Sequence, residues 1–80
     1  MNLRGYSYQL VKANLAANHK LLGVQLGRYC ITKDISVADI AEKLGVSKMT
    51  VYHWFIGRSI PHKARAEKIA KMLNRAKFSI

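Results

Sequence analysis

Residues Ile35 to Pro61 read ISVADIAEKLGVSKMTVYHWFIGRSIP, and the spacing of the apolar side chains within them decides the fold. Val37, Ile40, Ala41 and Leu44 recur at helical spacing; Ser36 is placed to cap that helix, and Asp39 follows three residues later as a weak capping-box partner. Gly45 comes just past the last apolar residue, where a left-handed backbone costs glycine almost nothing and would cost another residue ~1 kcal/mol or more. A sharp turn is expected there. Ser47 can then cap a second helix whose inward face is Val51, Trp54 and Phe55, while Lys48, Met49, Tyr52 and His53 project the other way. The small Ala41 lets the two helices approach, and Val46 fills the corner between them.

Two short helices crossing at such a turn make a helix-turn-helix, the arrangement that lays its second helix in the DNA major groove with the N-terminal half against base edges. Further motifs stand in register around it: LLGVQLGRY before it, DISVADIAEKLGVS and KMTVYHWFIGRSIP across it, and EKIAKMLN after it. Together with Gly57, Pro61 and Leu73-Asn74 they resemble the phage repressor and Cro-like (XRE) helix-turn-helix proteins over residues 19–74. SKMTVYHWF is also similar to the reading helix of the TetR family, whose large following ligand-binding domain is not expected in a chain that ends at Ile80. The XRE resemblance implies an all-α, lambda-repressor-like bundle of about five helices. Residues 1–18 are expected to form a helical N-terminal extension, 19–74 the DNA-binding domain and 75–80 a C-terminal tail.

Composition agrees with a nucleic-acid partner. The chain has 80 residues, room for one domain with a modest core, and its 14 Lys and Arg against 4 Asp and Glu leave a formal charge of +10. Three of the acids, Asp34, Asp39 and Glu42, lie in or beside the first helix of the turn motif, so one face of that helix is expected to point away from phosphate. The single Cys30 excludes an internal disulfide and a thiolate zinc cluster, and reads as core. No apolar run approaches the ~20 residues that span a bilayer, and Met1 to Lys12 lacks the apolar segment of a signal peptide. A cytoplasmic protein with no membrane association is expected. His19, His53 and His62 share no metal-ligand spacing with the acids or Cys30, and no nucleophile has an evident base, so neither enzymatic activity nor a cofactor is expected.

Outside the turn motif the pattern is helical throughout. A first helix over about Ser7 to Ala17 has Tyr8, Val11 and Leu15 spaced for one face, with Leu10, Ala13 and Ala17 beside them. A second, from about His19 to Thr32, turns Leu22, Leu26 and Cys30 to the core; Gly23 and Gly27 lower its intrinsic helicity by ~1 kcal/mol each, unless they permit close packing. After a loop at Gly57 and Arg58, Pro61 takes an early position in the last helix, whose inward stripe is Ala66, Ile69, Ala70 and Leu73. Arg75 to Ile80 reads as a frayed tail.

Two features depart from the family pattern. Many members pair an arginine in the first helix with a glutamate in a WExG segment, and the aligned residues here are Cys30 and Phe55, an apolar pair expected to lie close together in the core. Val37 stands where the family often has a phosphate-binding glutamine. That contact is then left to the helix N-terminus and Ser36.

Carried over residue by residue, the family's base-reading positions fall on Ser47, Lys48, Met49, Tyr52 and His53. Lys48 can donate to guanine O6 and N7, Met49 can pack on a thymine methyl, and Tyr52 or His53 can serve a base edge or a phosphate. Tyr52 could equally cover the core edge. Trp54, on the inward face, reads as core rather than as a stacking platform. Ser36, Arg58, Ser59, His62 and Lys63 are the candidate phosphate contacts, which orient a protein on DNA without reading sequence.

The resemblance implies a sequence-specific regulator of transcription that binds double-stranded DNA as a homodimer, plausible for a phage-type repressor. The first segment, with Tyr6, Tyr8, Leu10, Val11 and Leu15, is the candidate for the dimer interface, although it could equally pack on its own domain. Two other classes stay open: a protein-interaction module on the same scaffold, such as an antitoxin or an inhibitor of a host factor, and a DNA-packaging or recombination accessory protein.

Overall fold

The computed structural model describes residues 6–78. Their order is α1 (Tyr8–Ala16), α2 (Leu22–Lys33), α3 (Val37–Leu44), α4 (Lys48–Phe55) and α5 (Lys63–Phe78), a bundle of five helices with no strand among the described residues. Met1 to Gly5 of the expected extension and Ser79 and Ile80 of the expected tail lie outside them.

Local chemistry accounts for most helix ends. Ser7, Ser36 and Ser47 each adopt extended backbone and accept, through the side chain, from the N–H three residues on, at 3.1 Å, 3.1 Å and 3.2 Å. Three helices are followed by the same kind of turn: one or two residues beyond the helix the backbone goes left-handed, and the next N–H reaches back to a carbonyl in the last turn. Gly45 (φ 69°) does this for α3, with Val46 N–H on the Ala41 carbonyl at 3.0 Å. Gly57 (φ 77°) does it beyond α4, and Asp34 (φ 60°) beyond α2, where a short polar side chain tolerates the conformation.

The core is made by Leu26, Cys30, Val37, Ile40, Ala41, Leu44, Val51, Trp54, Phe55, Ile69 and Leu73, joined by Tyr6. Cys30 and Phe55, the apolar pair in place of an ion pair, are both completely buried in this cluster. Gly23 and Gly27 carry the packing of α2 on α4. A β-carbon on Gly23 would lie 2.7 Å from Trp54 Cβ, and one on Gly27 would lie 2.8 Å from Phe55 Cγ, so the helices meet only because these side chains are missing.

Four expectations are corrected. The second helix begins at Leu22 rather than His19, because Asn18 closes a local turn instead: its side chain accepts from Lys20 N–H and its carbonyl from Leu21 N–H. Pro61 lies two residues before the last helix, buried, and His62 provides the first carbonyl of that helix to Ala66 N–H. The same helix continues past Asn74 to Phe78. Finally, α1 turns a different face inward. Asn14 is 1% exposed while Leu15 and Tyr8 are 63% and 72% exposed, so hydrogen bonding and not apolar spacing orients this helix.

Candidate nucleic-acid interface

Helix α4 presents its two faces as the apolar spacing requires. Val51, Trp54 and Phe55 are buried, and at roughly 100° per residue the opposite stripe falls on Met49 and His53, with Tyr52 to one side and Lys48 in the first turn. Lys48 is exposed, and Met49 is 62% exposed. Tyr52 is half-buried and packs on the core edge, so its ring is shared between the surface and the interior. His53 is half-buried as well. The Ser47 hydroxyl is engaged in the cap, accepting from Thr50 N–H and bonded to Thr50 Oγ1 at 2.9 Å.

The candidate phosphate contacts are tied to the reading helix by the backbone. The His53 carbonyl accepts from Arg58 N–H at 2.8 Å and from Ser59 N–H at 3.4 Å, which folds the exposed Arg58 and Ser59 back against the last turn of α4. His62 and Lys63 are exposed where α5 begins. Ser36, exposed at the start of α3, spends an oxygen lone pair on Asp39 N–H and keeps its own hydroxyl proton for an acceptor such as phosphate. Val37 is buried, so its departure from the family pattern serves the core.

Charge follows the same division. From Lys43 to Ala66 the sequence contains no acid, while Lys43, Lys48, Arg58, Lys63 and Arg65 occur there. Asp39 and Glu42 instead border an open cleft with Tyr29, Ile40 and Met72, which Lys43 and Arg75 also line, and none of the candidate DNA contacts lies in it. Among the described residues no group of three or more His, Cys, Asp or Glu is placed to hold a metal ion.

The helix-turn-helix family profile matches residues 26–77. The chain belongs to the XRE-type, Cro/C1-like helix-turn-helix family. No curated protein and no solved structure gave a match. As a member of this family it carries a DNA-binding domain of the transcription-regulator type, a class that is not typically enzymatic. No helix among the described residues is long and apolar enough to cross a membrane.

Sequence reasoning missed the residues that brace this XRE-type motif. Arg65 on α5 donates from Nε to the Leu44 carbonyl at 3.0 Å and from Nη2 to the Gly45 carbonyl at 3.2 Å, and Lys68 donates to the Lys43 carbonyl at 3.5 Å. Two cations thus satisfy the last carbonyls of α3, at its negative dipole end. A basic residue on an amphipathic helix reads as solvated from sequence alone, and only the crossing of α5 over the turn distinguishes Arg65 from its neighbours.

Proposed function

We propose that this protein is a sequence-specific transcriptional regulator of the phage-repressor type, which inserts α4 into the major groove of double-stranded DNA. In this reading Ser47, Lys48, Met49, Tyr52 and His53 meet base edges, with Lys48 donating to guanine and Met49 packing on a thymine methyl. Ser36, Arg58, Ser59, His62 and Lys63 hold phosphates on either side of the groove. The observation that carries the reading is the outer face of α4: exposed Lys48 and Met49 on a capped, core-anchored helix, within an acid-free cationic stretch. One such helix covers only a few base pairs, so the protein acts as a homodimer on two half-sites about one helical turn apart, in the cytoplasm where its DNA lies.

Selection of bound sequences from random duplex DNA at near-physiological salt tests this, with the Arg58→Ala/Lys63→Ala variant as control. An enriched motif of two inverted half-sites supports the dimeric regulator, and the control should lose affinity on every sequence alike. On the enriched site, Lys48→Ala should relax preference at one base; a uniform loss would reassign Lys48 to phosphate. Retention of DNA without any motif would point to an architectural role.

A second reading, a protein-binding module, is favoured by Ile60, an aliphatic side chain 69% exposed in the chain segment that leaves α4. Salt separates the two. DNA binding weakens steeply as salt rises, because phosphate counterions are released, whereas an apolar interface responds little.

A further inference from the structure

The family match begins at residue 26, yet two residues well before it hold the two helices of the turn motif. Among the described residues Asn14 is the one buried polar side chain. Its Nδ2 donates to the Phe55 carbonyl at 2.6 Å and to the Val24 carbonyl at 3.1 Å, while its own main-chain carbonyl accepts from Arg28 Nη2 at 3.2 Å. Phe55 is the last residue of α4, so its carbonyl is among those that no further turn of that helix can satisfy. Three helices therefore meet on one amide. Gly27 makes the room, since a β-carbon there would stand 2.7 Å from Asn14 Nδ2. Tyr6 does the corresponding job at the other helix. Its hydroxyl donates to the Ile35 carbonyl, one residue before the Ser36 cap of α3, and its ring stacks on Phe55 with centroids 6.3 Å apart.

We infer that the segment from Tyr6 to Ala17 is part of the DNA-reading unit, with Asn14 as the positioning residue for α4 and Tyr6 as the positioning residue for the entry to α3. The inference rests on the DNA-binding function proposed above. Both tethers end on backbone carbonyls, so they fix the helices themselves and not a side chain that could swing aside. A carbonyl held from the side at the C-terminal end of α4 resists rotation of that helix about its axis. Rotation by roughly 20° would carry a side-chain tip on the outer face about 2 Å, enough to break a bidentate contact to a base edge. Phosphate contacts from long flexible side chains would survive the same movement. Loss of either tether therefore costs discrimination between sequences more than it costs affinity for DNA in general.

The test uses the full chain with Asn14→Leu, which keeps the branched shape at a somewhat greater volume and removes both donors, and Tyr6→Phe, which keeps the ring and removes the hydroxyl. Each is measured on the duplex selected by the wild type and on an unrelated duplex, with far-UV circular dichroism for the fold. The fluorescence of Trp54, the one tryptophan, buried on α4, reports the seat of the reading helix. Asn14→Leu should stay helical, shift the Trp54 emission and lose about tenfold in discrimination, with affinity for the unrelated duplex held within about threefold. Tyr6→Phe should lose about threefold in discrimination. Folded variants that discriminate as the wild type does, or that weaken equally on both duplexes, overturn the inference. Should Asn14→Leu fail to fold, Tyr6→Phe decides by the same criterion. A wild type that selects no sequence removes the DNA reading itself, and the inference with it, an outcome distinct from failure of the tethers alone.

Discussion

Cys30 illustrates how a single position changes character with its surroundings. Its thiol is completely buried, and burial pushes its pKa from an ordinary 9.0 up to about 12, since the thiolate would have to leave water. Burial also raises the pKa of the Tyr6 hydroxyl, next to which Cys30 and Tyr52 would place further negative charge. Both groups are neutral when protonated, so a raised folded-state pKa gives stability that is fully present below the unfolded value. That stability is lost as pH climbs from about 9 toward 12. Urea denaturation at pH 8 and pH 10.5 should therefore give a lower midpoint at the higher pH, and Cys30→Ala should shrink that difference. A thiol reagent should modify the native protein only at the rate of unfolding; rapid modification of folded protein would contradict the buried placement. That Cys30 belongs to the core was legible from its lone occurrence at helical spacing. That Asn14 does too was not, because apolar periodicity assigns a polar residue to solvent unless its partners are known.

At the scale of the element, the ends of α3 and α4 follow from sequence more directly than their seats. Ser36, Ser47 and Gly45 act through bonds to residues within five positions of themselves, so short-range chemistry suffices to locate them. Gly45→Ala would add a side chain into open space, the nearest atom being Arg65 Nη2 at 3.9 Å, but at a φ of 69° it should cost ~1 kcal/mol in backbone strain. Gly23→Ala contrasts with it. Helix propensity favours alanine by ~1 kcal/mol, yet the new methyl would meet Trp54 Cβ at 2.7 Å and the Trp54 carbonyl oxygen at 2.9 Å, and overpacking of this kind costs ~1–3 kcal/mol. Backbone cannot give way as a flexible side chain does, so the clash should win. Thermal denaturation of the two variants should show a lowered Tm for both, with a Trp54 spectral change only for Gly23→Ala. The two glycines of α2 read ambiguously in sequence, as helix weakeners or as contacts, and the approach of α4 decides for contact.

At the scale of the molecule, α1 has two faces with different fates. Its inner side is fastened to α2 and α4 through Asn14, so residues 6–17 are bound up with their own domain; its outer side leaves Tyr8 and Leu15 in water, seven residues apart on one stripe. If that stripe forms the proposed homodimer contact, Tyr8→Ser/Leu15→Ser should convert a dimer to a monomer, measured by light scattering, while helical content is retained. An unchanged mass would move the interface elsewhere. Removal of residues 1–17, by contrast, should lower the melting temperature by several degrees through loss of the Tyr6 and Asn14 bonds, whatever it does to association.

The helix count, the caps, the glycine turn and the outward face of α4 were determined by the sequence itself, because each depends on bonds or periodicities that span a few residues. The seat of those helices was decided only by tertiary structure. Asn14 on Phe55, Tyr6 on Ile35 and Arg65 on the Leu44 and Gly45 carbonyls join residues 41, 29 and about 20 positions apart. Such bonds leave no period in the chain, since any polar side chain that reaches an orphaned helix-end carbonyl will do, and which one reaches it depends on how whole helices cross.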